Sequence, residues 1–173
     1  MATNTRNIPN IIARAVHAEL QKARLDMLKM KVGTIFHADA STTISTADAA
    51  DLPTVLTLAN ALKASYNAHC ASACSATTGQ GAHIAADAAN TITSANATDQ
   101  TSANTLLNEI KTDYNTHRAA TTFHPTADAT NAVSSANATD LATSITLANE
   151  IKADLNAHYA AAMNHQALAL VAP

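Results

Sequence analysis

The sequence predicts a mainly α protein: an N-terminal helix followed by three helix-and-extended-linker repeats, packed as a small bundle or a short array. Three observations predict it. A helical phrase recurs three times, an aspartate precedes each copy where a helix should begin, and Gly and Pro fall at the predicted boundaries. Repetition at a period of 40 to 50 residues is the mark of stacked or arrayed units.

The helical phrases are Leu58–His69 (LANALKASYNAH), Leu106–His117 (LLNEIKTDYNTH) and Leu147–His158 (LANEIKADLNAH). The first Leu, two Asn, the Lys and the final His keep their places in all three. Ahead of each lies a shared linker phrase, Thr43–Asp51, Thr91–Asp99 and Ala132–Asp140. Equivalent residues are 48 apart between the first two copies and 41 between the last two, so a loop has grown around Cys74 to Gly81. The organisation read from this is an N-terminal arm at 1–33, a repeat domain at 34–165 with copies at about 37–74, 83–121 and 124–163, and a tail at 166–173.

Asp51, Asp99 and Asp140 stand at N-cap positions, where a carboxylate accepts the unpaired N–H groups of the first turn. Pro53 fits the first turn, where its missing N–H costs little. Gly79, Gly81 and Pro125 lie beyond predicted helix ends. The predicted helices are 52–74, 100–121 and 141–163, each near 30 Å at about 1.5 Å per residue. On a 3.6-residue wheel one stripe carries Val55, Leu58, Leu62, Tyr66 and His69, with Ala103, Leu106, Ile110, Tyr114, His117 and Ser144, Leu147, Ile151, Leu155, His158 as counterparts. This stripe is the predicted core.

The opposite face repeats Asn60, Lys63, Asn67; Asn108, Lys111, Asn115; and Asn149, Lys152, Asn156. A merely solvated face is free to drift between copies. Its retention predicts that the linkers run back over it and that the Asn amides bind their backbone; recent duplication without divergence is the competing reading. Linkers rich in Ser, Thr, Asn and Asp favour extended or turn-rich backbone, with room for short β segments. Seventeen or so residues at up to about 3.3 Å each cover the return along a 30 Å helix, which allows parallel helices; an antiparallel bundle is the alternative.

The N-terminal segment differs in kind. Ile11, Ile12, Ala15, Val16, Leu20, Ala23, Met27 and Met30 predict an amphipathic helix over about 8–31, closed by Gly33. Arg6, Arg14, Lys22, Arg24, Lys29 and Lys31 against Glu19 and Asp26 give it a net +4, whereas the rest of the chain carries −7. Those six basic residues are candidates for docking on an acidic protein surface, a neighbouring subunit or nucleic acid. Packing of the arm on its own repeats is the simpler alternative.

The remaining composition narrows function by exclusion. Three Gly, no phosphate loop, no nucleophile elbow and a threefold-repeated constellation argue against an enzyme with one tuned site or a small-molecule substrate. The repeats are acidic and poor in stacking aromatics, against nucleic-acid binding except through the arm. The polar start and the lack of a long apolar run predict no membrane association and synthesis in a cytoplasm. Cys70 and Cys74 match neither a redox nor a zinc motif and read as reduced thiols, with an intermolecular disulfide as the lesser alternative.

Eight histidines raise metal binding. His83 and Asp87, like His124 and Asp128, lie four apart, and His117 and His124 lie seven apart, but no local pattern supplies three or four ligands. The sequence reading therefore assigns no metal and no cofactor. It gives His69, His117 and His158, with the six Asn residues, structural roles at helix ends or on linker carbonyls, or as pH-responsive contacts.

The phrases Leu147–His158 and Asn131–Leu141 (NAVSSANATDL) resemble small repeat-containing structural proteins of tailed bacteriophages, over about residues 37 to 165. The resemblance implies a virion component present in many copies, a capsid decoration or a neck or tail accessory. Its partners would be copies of itself and other virion proteins of the capsid, neck or tail. Two other classes fit the residues, a metal- or ligand-binding helical module and a filament or surface adhesive subunit.

Overall fold

A computed structural model describes residues 16–23, 39, 42–73, 82–83, 85–124 and 126–161. The chain divides into two compact units, Met1–Ile35 and Phe36–Pro173. In the first, residues 16–23 form helix α1, on which Lys22 is exposed. Arg6, Arg14, Arg24, Lys29 and Lys31, and the rest of the predicted helix, lie outside the described residues.

The second unit is a bundle of α2 (Leu52–Ala71), α3 (Gln100–Ala119) and α4 (Leu141–Ala160). Each begins in a capping box built on its aspartate. Thr54 N, Ser102 N and Thr143 N donate to Asp51, Asp99 and Asp140 at 3.0, 2.7 and 2.9 Å. The hydroxyls of Thr54, Ser102 and Thr143 accept from the backbone N–H of the same aspartates. Two otherwise unpaired donors are thus satisfied at each start.

The helices stop two or three residues before the predicted ends. The alanine-rich chain there has high helix propensity, but other hydrogen bonds end the helices. The N–H groups of Ser72, Ala120 and Ala161 fold back to His69, His117 and His158 carbonyls, and linker amides take further last-turn carbonyls.

The predicted stripe is buried on all three helices and forms the core where α2, α3 and α4 meet pairwise. Its central positions are Leu62, Ile110 and Ile151, each contributing about 1.5–3 kcal/mol by burial. Ala59 and Ala148 are fully buried beside Leu58 and Leu147, which lets helices approach closely, while α3 has Leu107 at that place. The last turns of all three helices come together, so the helices run parallel. No described helix is long and apolar enough to cross a membrane.

Three parallel helices require two return paths, and the Asn faces hold both of them together with the segment that leads into α2. Asn60 Oδ1 accepts from Ala97 N (2.7 Å) while its Nδ2 donates to Ala97 O (3.0 Å); Asn67 grips Ile92 in the same way. Asn108 and Asn115 hold Ala138 and Val133, and Asn149 and Asn156 hold Ala49 and Ile44. Each amide imitates a neighbouring β-strand to one linker residue. Because the backbone is satisfied by side chains, the described linkers hold no strand, and the only bridge among described residues joins Ala73 and His83.

Two Asn residues seven apart span about 10.5 Å of helix, whereas five linker residues fully extended span about 16.5 Å. The linker therefore bends, and charged side chains fix the bend. Lys63 Nζ donates to Ser94 O, and Lys111 Nζ to Ser135 O, at 2.5 and 2.6 Å. From the other side Glu109 accepts from Thr93 N and Ser94 N, and Glu150 from Ser134 N and Ser135 N. Lys152 instead pairs with Asp48 at 2.7 Å.

The helices hold the linkers in cyclic order. α2 holds the linker before α3, α3 holds the linker before α4, and α4 holds residues 44–49, the linker before α2.

Candidate functional site

At the C-terminal end of the bundle the stripe finishes in histidine. His69, His117 and His158 occupy the last turns of α2, α3 and α4, fully buried. Each Nδ1 lies against a carboxylate thirty residues earlier in the chain: His69 on Asp39 (2.8 Å), His117 on Asp87 (2.8 Å) and His158 on Asp128 (2.9 Å). These carboxylates are themselves almost wholly buried.

Each aspartate joins two helices. While its side chain holds one histidine, its backbone N–H donates to the last turn of the preceding helix: Asp87 to Cys70 O, Asp128 to Arg118 O and Asp39 to Tyr159 O, all at 2.8 Å. The order is again cyclic. Asp87 and Asp128 are also fixed by local turns, in which Asn90 and Asn131 donate through backbone and side chain.

Burial pushes the Asp87 carboxyl upward, but hydrogen bonds from His117 and Asn90 outweigh it and hold the group below its ordinary range. Asp128 lies far lower for the same reasons, with His158 and Asn131 as donors. An ionised carboxylate only accepts, so Nδ1 carries the proton in the His117–Asp87 and His158–Asp128 pairs. On a neutral ring the lone pair is then at Nε2, directed away from the aspartate.

Two linker histidines complete the cluster. His124 is buried, and its Nδ1 donates to Ala120 O at 3.1 Å, so its Nε2 also presents a lone pair. Burial, with His117 and His158 nearby, lowers its pKa to about 3 and keeps the ring neutral. His83 lies with Nε2 3.0 Å from His69 Nε2, a contact that uses one shared proton. His69, His117, His124 and His158 bring one ligand nitrogen each to within 4.8 Å of one another. Tyr159 at 4.5 Å from His69, Tyr66 at 5.7 Å from His117 and Tyr114 at 5.6 Å from His158 (ring centres) border the cluster.

The structure departs from the sequence reading in the partners of these histidines. The helix-end histidines bond linker carboxylates rather than linker carbonyls; of the cluster, His124 has the carbonyl partner. Asp87 and Asp128 serve His117 and His158, not the histidines four residues before them. Local spacing cannot register His69, His117 and His158, 48 and 41 residues apart, which the three helix ends bring together. Asp39 goes unnoticed in the sequence and Asp87 and Asp128 are set against the wrong histidines, although the interval of 30 residues from Asp39, Asp87 and Asp128 to His69, His117 and His158 is the same in all three copies.

A shallow depression of about 210 Å³ is lined by Ser135, Ala136, Ala142, Thr143 and Thr146, with no titratable group. Cys70 is buried, and burial pushes its thiol up to about 12; Cys74 lies outside the described residues. In the second unit the fold and cluster define three parallel helices with a hydrophobic core and a buried polar end that joins the last turns. No protein-family model matches the chain, and no match is found among curated proteins or solved structures.

Proposed function

We propose that this chain is a non-enzymatic structural component of a bacteriophage virion, a capsid decoration or a neck or tail accessory. In this reading three copies of one helix-and-linker repeat close into a ring-like unit, and a basic N-terminal arm docks it on copies of itself or on other virion proteins. The observation that carries the proposal is where the recurring residues go. The Asn, Lys, Asp and His side chains common to the copies hold linkers and helix ends instead of facing a cleft. A unit so internally bonded keeps its shape while its outer faces remain available for contacts. The phage-like phrases at Leu147–His158 and Asn131–Leu141 support the virion location.

The test is co-sedimentation of the full chain, and of a chain lacking residues 1–32, with phage particles assembled without it. The proposal predicts that the full chain sediments with the particles at a fixed stoichiometry and that the truncated chain stays in the supernatant. Equal binding by both would remove the anchoring role of the arm, and binding by neither would refute the virion role.

A further inference from the structure

We propose that His69, His117, His124 and His158 form a structural site for one divalent transition-metal cation of the zinc class, tying the three helix ends and the linker before α4 to a single point. The inference does not rest on the virion reading.

The geometry is that of a closed ligand set. Imidazole nitrogens on a tetrahedral zinc-class ion, with bonds of about 2.0–2.1 Å, lie about 3.4 Å apart. The four nitrogens here already lie within 4.8 Å of one another, so small ring rotations complete the shell. Three rings carry the outer arrangement that metal-binding histidines commonly have, a carboxylate on Nδ1 that fixes the tautomer and strengthens Nε2 as a donor. The fourth uses a backbone carbonyl for the same purpose.

Charge favours the same conclusion. Three carboxyl groups with side-chain exposures of 4, 0 and 1% stand behind the rings in a nearly dry end of the bundle, where negative charge needs a cation close by. Balancing it with protons would place several imidazolium ions with ring centres 4.6–5.8 Å apart, which repel. One dication at the centre offsets the carboxylates without that repulsion. Neutral imidazole suits Zn²⁺ and its neighbours over Mg²⁺ or Ca²⁺, which take oxygen ligands. Four protein ligands fill a tetrahedral shell and leave no open position, so the role is structural. His83 shares the His69 lone pair at 3.0 Å, so on loading that contact gives way to the metal.

The test uses the full chain, stripped with chelator and titrated with Co²⁺ and then Zn²⁺. One equivalent of Co²⁺ should give the intense visible absorption of a tetrahedral nitrogen site, and Zn²⁺ should displace it. Zn²⁺ at about 100-fold over its dissociation constant should raise the melting temperature by roughly 10 °C. Zinc X-ray absorption of the unmutated chain should count four imidazole nitrogens. Asp128→Asn should weaken binding about 10–100-fold, whereas His17→Ala, on α1, should leave it unchanged. The proposal is overturned if the unmutated chain shows no cobalt band and no thermal shift. It is equally overturned if Asp128→Asn binds as the parent does, or if His17→Ala removes the signal.

Discussion

Replacing Asn108 by alanine tests the linker clamps on one residue. Its Oδ1 accepts from Ala138 N at 2.7 Å and its Nδ2 donates to Ala138 O at 3.0 Å, both partly buried. Two such bonds contribute about 0.5–1.5 kcal/mol each, and a backbone group left without a partner away from water adds to the loss. The expected cost is therefore about 2–3 kcal/mol, or roughly 6–15 °C in melting temperature for a unit of this size. Asn108→Asp should cost at least as much, because it removes the donor and sets a carboxylate against the Ala138 carbonyl. Thr116→Ala is the control, since that exposed hydroxyl bonds only Thr112 O in its own helix and its loss should stay within about 0.5 kcal/mol. Urea melts should show a lower midpoint with an unchanged slope. If Asn108→Ala melts within the error of the control, the clamp contributes nothing and the recurrence of Asn reflects duplication alone.

Tyr114→Phe should cost about 1–2 kcal/mol in the same urea melts, because the hydroxyl lies 2.7 Å from Asn131 O and 3.1 Å from Asp154 O and ties a linker to α4; an unchanged midpoint would show that those contacts are not made. Glu150 gives a pH dependence. Partial burial raises its carboxyl, but hydrogen bonds from Ser135 and Ser134 outweigh it and hold the group at about 2, against roughly 4.3 in an unfolded chain. Its stabilisation is complete above about pH 4.5 and is lost as pH falls towards 2. The parent should therefore lose more stability than Glu150→Gln over that window, and parallel curves would refute the assignment.

What the sequence revealed depended on how far apart the interacting residues lie. Asp51, Asp99 and Asp140 act within one turn of chain, and the buried stripe follows from helical period, so both were readable locally. The Asn faces were legible by a different route: retention of Asn60 and Asn67 in three copies implied a partner, although not which linker residue would meet it. The helix ends were read too late because alanine continues the helical pattern past His69, His117 and His158, while the Asp39, Asp87 and Asp128 amides capture last-turn carbonyls from across the bundle. The histidine cluster was hidden for the same reason. His69, His117 and His158 become neighbours only when the helices are parallel and the returns are made, and the sequence reading left parallel and antiparallel packing open. The acceptor roles of Glu109 and Glu150 were invisible too, because each closes on a bend set by the lysine of another helix.

The unit closes on itself, with α4 holding the linker that precedes α2, and hydrogen exchange reads this directly. The amides of Ile44, Ala49, Ile92, Ala97, Val133 and Ala138 each donate to an Asn Oδ1. Closure predicts that all six exchange slowly and as one cooperative class, with protection near that of the helix cores. Fast exchange at Ile44 and Ala49, with the other four protected, would contradict closure and leave an open array.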